Sequence, residues 1–521
     1  MITQDQAEIV EFLASPHAHD GAAVERIETH ASIVFLAGTN AWKLKRAVRY
    51  DYLDFSTADR RRAMCEAELR INRRTAPDLY RRVVAVTREP DGSLALGGKG
   101  VAVDWVLEMA RFDQDGLFDR LAAKGTLDLG LMRPLATAIA GFHQAAEARR
   151  DHGGQSGIAW VIDGNATGFA EQGAGILDET LCATLTSESR HALERVGALL
   201  DARQRDGFVR QCHGDLHLRN IVLIDNRPTL FDAIEFNDEI ACIDVLYDLA
   251  FLLMDLWRRR LARQANAVWN GYLGEALDLE GLPLLPLFLS CRAAVRAKTS
   301  ATAAALQEDA ARRDELRDLA RAYLDMAGQL LHPPRPALVA VGGLSGSGKS
   351  RLAAAVAPFV GAVPGALVIR SDEIRKRLCG VDPLQRLGSE GYTAEVTQRV
   401  YATMTERAAT VVRAGSAAIA DAVFARPADR DVIEQTAAAA GVPFVGIWLD
   451  AAHDVLVARA AQRHGDPSDA DADVIRRQLA QETGSIRWHR IDASLSAERV
   501  EHEAKAMLKS SLEETITDAG T

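Results

Sequence analysis

The run Gly343-Leu344-Ser345-Gly346-Ser347-Gly348-Lys349-Ser350 restricts the fold of this 521-residue chain more than any other feature. It fits the pattern G-x-x-x-x-G-K-[ST], whose glycines let the backbone curl until successive N–H groups point inward at phosphate oxygens. In that geometry Gly343, Ser345, Gly346, Ser347 and Gly348 line the cradle, Lys349 neutralises the outer phosphates, and the Ser350 hydroxyl ligates Mg2+. The pattern needs a strand before it and a helix after it. Ala337–Val341 is an apolar run of strand length, and Arg351–Val360 is compatible with a helix whose positive dipole end opens near Lys349. A Gly/Ser-rich loop can match by accident, but the flanking context would then be a second coincidence.

Three further apolar runs follow, Ala366–Ile369, Ala417–Ala420 and Phe444–Leu449, each succeeded by a helix-compatible stretch. Such alternation predicts a parallel sheet covered by helices, with functional groups beyond the carboxyl ends of its strands. Two carboxylates qualify. Asp372 follows the second strand, in Arg370-Ser371-Asp372-Glu373-Ile374-Arg375, and Asp421 ends the third as a metal-binding carboxylate would. Helix capping is the plainer reading of Asp372, and a strand-ending turn that of Asp421. Asp372 and Arg375 stand three apart on one helical face, so a carboxylate that takes a hydroxyl proton would sit beside a guanidinium that holds an anion. Arg459 and Arg463, four apart before Gly465-Asp466-Pro467-Ser468-Asp469, could close over a transferring phosphoryl group; a solvated basic face is the alternative.

His332-Pro333-Pro334-Arg335-Pro336 separates this region from what precedes it. Prolines favour extended backbone, so residues 332–336 read as a linker after a long helical pattern, about Asp309–Leu331. The expected domains are 1–331 and 337–515, with a frayed tail after about Leu512. The first divides into a small strand-rich lobe over about 1–110 and a helical lobe over about 111–331. In the small lobe Ile33–Leu36, Ala41–Leu44 and Val83–Val86 read as strands, and about Ala58–Arg73 as a helix.

A second constellation lies in His213-Gly214-Asp215-Leu216-His217-Leu218-Arg219-Asn220. Protein kinases space an Asp and an Asn in this way, the Asp receiving the acceptor hydroxyl proton and the Asn holding Mg2+. Ile221–Ile224 and Thr229–Phe231 read as strands joined by the turn Asp225-Asn226-Arg227-Pro228, and a hairpin here returns Asn220 to the side of Asp232. Oxygen ligands of this kind suit Mg2+. His213 and His217, four apart, lack a third zinc ligand at familiar spacing. Asp215 and Asn220 as mere turn formers would leave Asp232 unexplained, and Asp244 and Asp248 read as braces for the loop.

These residues resemble the aminoglycoside phosphotransferase and choline-kinase-like superfamily, and about 1–330 resembles its bacterial branch that is fused to a P-loop kinase. The likeness extends to Trp42-Lys43-Leu44-Lys45, Tyr52-Leu53-Asp54-Phe55-Ser56-Thr57 and Glu68-Leu69-Arg70-Ile71-Asn72-Arg73-Arg74. It implies a strand lysine on the α- and β-phosphates paired with a helix glutamate, Lys43 with Glu68, with Lys45 and Glu66 as alternatives. It also implies that the strand Val103–Met109 presents backbone groups to adenine, around Glu108 and Met109. There are two departures. The only counterpart of a G-x-G-x-x-G loop is Leu36-Ala37-Gly38-Thr39-Asn40, and the metal aspartate sits in Phe231-Asp232-Ala233-Ile234-Glu235, where Glu235 could share the ion. Residues of about 337–510 resemble P-loop small-molecule kinases such as gluconate-kinase-like enzymes and zeta toxins, through GLSGSGKS, RSDEIRKRL and the arginine pair before GDPSDAD. That likeness implies Asp372 as general base and Arg459 and Arg463 as lid residues. The Asp-x-x-Arg pair is also similar to the kinase module of 5′-polynucleotide kinases, where the arginine grips a substrate phosphate.

Charge and composition narrow the partners. A net charge of −11 disfavours a nucleic-acid backbone as main partner. Six widely spaced cysteines with no CxxC pair fit a reducing cytosol, and the start of the chain lacks a signal-peptide pattern. The most apolar segment, Ile243–Trp257, is interrupted by Asp244, Asp248 and Asp255, so no membrane span is expected. The expectation is a cytoplasmic two-domain protein of α/β and α+β class, a bilobal protein-kinase-like domain followed by a P-loop domain. It would use ATP and Mg2+ at two sites to phosphorylate hydroxyl groups of small molecules. A toxin-like or polynucleotide 5′-hydroxyl kinase, or one domain serving as a non-catalytic nucleotide-binding regulator, are the competing readings.

Overall fold

Ile33–Ala37 is an unbroken apolar run, and the strands formed along residues 32–45 have both faces largely buried. In the computed structural model the described residues are 3–29, 31–50, 53–382, 385–461, 475–476, 478 and 483–518. They divide into two units, Met1–Gly168 with Leu193–Asp255, and Phe169–Ala192 with Leu256–Thr521.

The first unit carries β1 (Val24–Glu28), β2 (Ser32–Ala37), β3 (Asn40–Lys45), β4 (Tyr80–Arg88), β5 (Leu94–Leu96) and β6 (Val101–Ala110). They form one antiparallel sheet in the order β1-β2-β3-β6-β4-β5. One face, with Phe35, Trp42, Leu44 and Val106, is covered by Ile9 and Leu13 of the helix Ala7–Ala14. The other, with Leu36, Ala41, Leu107 and Met109, gathers Leu79, Tyr80 and Phe231. The helix Ala58–Asn72 starts at Thr57, whose hydroxyl accepts the Arg60 N–H, and it is anchored by the fully buried pair Arg61–Asp104 at 2.8 Å. Later in the unit β7 (Val209–Gln211) pairs with β10 (Cys242–Asp244), and β8 (Ile221–Ile224) with β9 (Arg227–Leu230). Asp225 and Asn226 have φ of 48° and 62°, the left-handed pair that a two-residue hairpin loop requires.

The second unit contains the helices Ala262–Ala276, Leu285–Leu306 and Ala310–Leu331, then β11 (Leu338–Gly343), β12 (Leu367–Arg370), β13 (Ala418–Asp421), β14 (Phe444–Asp450) and β15 (His489–Asp492). The sheet is wholly parallel, in the order β12-β13-β11-β14-β15. Val339, Val341, Ile419 and Ile447 pack against Leu352 and Val356 on one helix and Ala504 and Leu508 on another. The outer strand β12 is not bare. Val368 N–H donates to Asn270 Oδ1 (2.7 Å), and the side-chain amides of Asn266 and Asn270 donate to Ala366 O (3.1 and 3.2 Å). The helices before residues 332–336 thus pack with the sheet after them, and the two units do not divide at the proline-rich segment. The fraying expected after Leu512 is replaced by the last turns of the helix Ala497–Asp518. Among the described residues no helix is long and apolar enough to cross a membrane.

Candidate active sites

Alternate residues of β3 project from one face, which brings Lys43 and Lys45 to the same glutamate. Lys43 Nζ lies 2.7 Å from Glu68 Oε1 and 2.6 Å from Asp232 Oδ1, and Lys45 Nζ lies 2.7 Å from Glu68 Oε2 and 2.5 Å from Glu235 Oε1. The side chains of Lys45, Glu68 and Glu235 are 2%, 0% and 6% exposed, so these charges balance one another without water. Burial works against the ionised form, yet the two ammonium groups hold the Glu68 carboxyl down at about 2. Burial likewise opposes charge on Lys43, and Asp232 and Glu68 reverse it, holding the ammonium well above the ordinary lysine range. The Glu235 carboxyl is raised by burial, which Lys45 offsets only in part. Glu66 pairs instead with Arg62 on the solvent side. Lys43 is therefore the lysine that meets Asp232, and Glu68 serves both lysines. Glu235, offered above as a second metal ligand, is the counter-ion of Lys45.

The hairpin register sets Ile221 opposite Leu230, and Phe231 N–H donates to Asn220 O (3.0 Å), which brings Asp232 alongside Asn220. Asn220 Nδ2 donates to Asp215 O (2.9 Å) and Asp215 Oδ2 (3.0 Å), leaving its amide oxygen for a cation. Asp232 keeps 43% of its side chain exposed. A carboxylate and an amide oxygen presented together fit a hard divalent ion. His217 Nδ1 accepts the Arg219 N–H, so the ring proton sits on Nε2, 3.3 Å from Asp215 Oδ2. Asp248 braces the loop by taking the N–H groups of His213 (3.1 Å) and Gly214 (2.9 Å), and Asp255 takes that of Leu218 (3.1 Å). His143, Cys212 and Asp248 lie close enough to share a metal. Both Asp248 oxygens already accept loop amides, however, and burial pushes the Cys212 thiol up, which makes the trio a brace. His213 bonds Phe231 O through Nε2 (2.9 Å).

Glu108 and Met109 do not offer backbone to a base. Each has partners on both flanks of β6, Trp42 and Arg82 for Glu108, Ala41 and Tyr80 for Met109, so their peptide groups belong to the sheet. The Glu108 carboxylate takes Arg82 Nε at 2.7 Å. A cavity of about 520 Å³ opens just past the strand, beside Gly38, Thr39, Arg111, Phe112, Asp113 and Gln114. Gly38–Thr39 is the turn between β2 and β3 at this end of the sheet. The end at Lys45 faces the β1–β2 connection, since Ser32 pairs with Lys45. Leu36–Asn40 is therefore not the turn nearest the lysines.

In the second unit the cradle is built as its sequence requires. Gly343, Gly346 and Gly348 have φ of 138°, 89° and 91°. A Cβ on Gly346 would lie 2.5 Å from Leu456 O, so the loop is closed to any side chain there. Ser345 N–H donates to Gln478 Oε1 (2.9 Å), and Lys349 Nζ to Leu344 O (3.1 Å). Ser347 Oγ is buried with no hydrogen-bond partner among the described residues. Asp421 stands in register with Val341 of β11 and Arg370 of β12. Burial raises its carboxyl, against the pull of Arg370, Lys349 and a hydrogen bond from Ser350. Ser350 and Asp421 are thus joined as a hydroxyl–carboxylate pair that could share a divalent ion.

Asp372 is half-buried in the first turn of the helix Ser371–Leu378, near enough for its charge to raise Asp421. Arg375 does not stand free beside it. Its guanidinium donates to Gly391 O (2.8 Å) and Thr397 Oγ1 (3.2 Å) and lies 4.8 Å from the Tyr392 ring centre, buried at 7% exposure. Arg459 donates to Ala493 O (2.7 Å) rather than standing open as a lid group. Arg463 lies outside the described residues. A cavity of about 380 Å³ at the ends of β14 and β15 is lined by Asp450, Ala451, Arg490, Ile491, Asp492 and Ser494, none of which the sequence had singled out.

Two separate stretches of the chain match known families. Residues 127–285 match the family model described as Phosphotransferase enzyme family, and 338–484 the one described as AAA domain. Uncharacterized protein Rv2004c of Mycobacterium tuberculosis and Uncharacterized protein Mb2027c of Mycobacterium bovis are each 29% identical over 480 residues, 91% of this chain and 93% of theirs. Among solved structures, a choline/ethanolamine kinase family protein from Mesorhizobium loti is 16% identical with a TM-score of 0.40, covering 62% of this chain and 94% of its own. A gluconokinase from Sinorhizobium meliloti is 22% identical with a TM-score of 0.27, covering 35% and 98%. One polypeptide thus carries a region that matches the Phosphotransferase enzyme family model and, after it, a P-loop region that matches the AAA domain model.

Proposed function

We propose that this chain is a bifunctional phosphotransferase that uses ATP and Mg2+ at two sites, moving the γ-phosphate to hydroxyl groups of small molecules such as sugars, nucleotide sugars or antibiotic-like compounds. The observation that carries this reading is the bridging of Glu68 and Asp232 by Lys43, with Asn220 bonded to Asp215 alongside. At the first site Asp215 accepts the proton of the attacking hydroxyl, held in place by Asn220 and His217. Lys43 neutralises the phosphates, and Asn220 and Asp232 would hold the ion. At the second site the 343–350 backbone and Lys349 bind the phosphates, Ser350 and Asp421 would hold the ion, and Asp372 orients the acceptor. Bound Mg2+ supplies charge neutralisation on the transferring group at each site. Nucleic acid is the disfavoured acceptor. We place the protein in the cytoplasm, in keeping with six free cysteines.

The test is a screen of metabolites and antibiotics for ATP-dependent mass gain, repeated with Asp215→Ala and Lys349→Ala. A product lost in one variant alone assigns that acceptor to one site. Unchanged ATP consumption in both variants would overturn the proposal, and phosphate gain only on polynucleotide ends would overturn the small-molecule acceptor.

A further inference from the structure

Asp232 has φ of 63°, a left-handed backbone that residues other than glycine seldom adopt. Two side chains from the sheet and its helix hold it there. Asp232 N–H donates to Tyr80 Oη (3.0 Å), and the next amide, Ala233 N–H, donates to Asn72 Oδ1 (2.8 Å). Both side chains are fully buried. Asn72 lies four residues after Glu68, one turn along the same helix face, and its own amide donates back to Glu68 O (3.0 Å). The peptide that sets the direction of the Asp232 carboxylate is therefore tied to the helix that carries the lysine-binding glutamate. The segment is pinned on its other side too, by Phe231 N–H to Asn220 O and Ile234 N–H to His213 O (3.0 and 2.9 Å).

We infer that Tyr80 and Asn72 are positioning residues for the metal-binding Asp232, fixing its left-handed turn so that its carboxylate faces Lys43 and Asn220. This rests on the phosphotransferase reading of the first site. A hydroxyl and an amide are used where an apolar side chain would fill the space equally well, and what they add is a hydrogen bond to each of two consecutive amides. Without those bonds the strained turn loses its support, and the carboxylate can swing from the ion without any change in Lys43, Glu68 or Asp215.

The test uses the full chain carrying Lys349→Ala, so that the first site is read alone. Tyr80→Phe removes only the hydroxyl, and Asn72→Leu removes the amide at similar volume. Two measurements are made: hydrogen exchange of the 232 and 233 amides without ligand, and Mn2+ binding to the complex with a non-hydrolysable ATP analogue, by electron paramagnetic resonance. Each variant is expected to speed exchange of its amide and to raise the half-saturating Mn2+ concentration, both by roughly five- to tenfold, as the loss of one buried hydrogen bond implies. Should Asn72→Leu fail to fold, Tyr80→Phe decides the matter. A lower melting temperature with unaltered Mn2+ binding would mark a merely structural role and overturn the inference. Asp232→Ala separates the two levels. If it abolishes Mn2+ binding while Tyr80→Phe leaves it unchanged, this inference alone fails; if it too leaves binding unchanged, the reading of the whole site falls.

Discussion

The two candidate sites are built by opposite routes. The second is almost continuous: eight consecutive residues, 343–350, make the cradle, and one register neighbour, Asp421, completes it. The first is assembled from pieces remote in sequence. Its central ammonium, Lys43, meets Glu68 at 25 residues' separation and Asp232 at 189. A site made of local backbone stores its information in glycine conformations. A site made of distant charges stores it in burial, where every ion needs its partner.

That contrast can be broken by removing one element at a time. The largest effect is expected from Lys45→Met, which strands Glu235 and leaves Glu68 with one counter-ion. Losing one partner of a buried pair costs about 3–5 kcal/mol, seen as a shift of the urea midpoint of the first unit. Lys43→Met should cost clearly less, since Asp232 remains open to solvent. Equal destabilisation by both would remove the distinction between a structural and a phosphate-facing lysine.

Acid sharpens the same point. The Glu68 carboxyl is depressed, so its contribution is fully present above about 4.5, its ordinary value, and is lost as pH falls toward about 2. A displacement of that size is worth on the order of 3 kcal/mol. Glu235, raised by burial, acts with the opposite sign, its contribution present at low pH and lost as pH rises through its folded value. Glu68→Gln should therefore flatten the acid limb of a stability–pH curve, and an unchanged limb would refute the assignment.

The second site is expected to respond through its ligand. Lys349→Ala should weaken nucleotide binding there by about a hundredfold and reduce calorimetric stoichiometry from two to one, without altering the first site. Smallest is Gly346→Ala, where both the positive φ and the contact with Leu456 O oppose a methyl group. A cost of about 1–3 kcal/mol in the second unit is expected by thermal unfolding, and a neutral outcome would mean that the loop yields more readily than a backbone-encoded site should.

The same contrast governs what could be read from the chain. The cradle with its flanking strand and helix follows from local rules, and so does a hairpin after Asn220, though its turn is tighter than read: Arg227 and Pro228 belong to the second strand, and the loop is Asp225–Asn226 alone. The choice between Glu66 and Glu68 did not follow, because two residues of one helix differ only in which way packing turns them. Arg375 was read as facing an anion because helical spacing sets it near Asp372. What spacing omits is that Gly391 and Thr397, from another element, offer it acceptors at 2.8 and 3.2 Å. Glu108 and Met109 differ from expectation for a related reason: the strand that the resemblance sets against adenine has neighbours on both sides in the sheet. β1 and β15 passed unnoticed, being short and largely exposed. Tyr80 and Asn72 belong to no motif and act across 152 and 161 residues. A clue was nonetheless present in an amide one turn beyond a buried glutamate.

Asn266 and Asn270 give the covering of β12 a practical meaning for anyone who divides this protein. A fragment starting at Ala337 keeps the whole 343–350 cradle but uncovers a strand rim whose peptide groups are ready to recruit another chain. Its insolubility would say nothing about catalysis. A cut placed upstream of Ala262 retains the asparagine seam, and that is where dissection of the two proposed activities should begin.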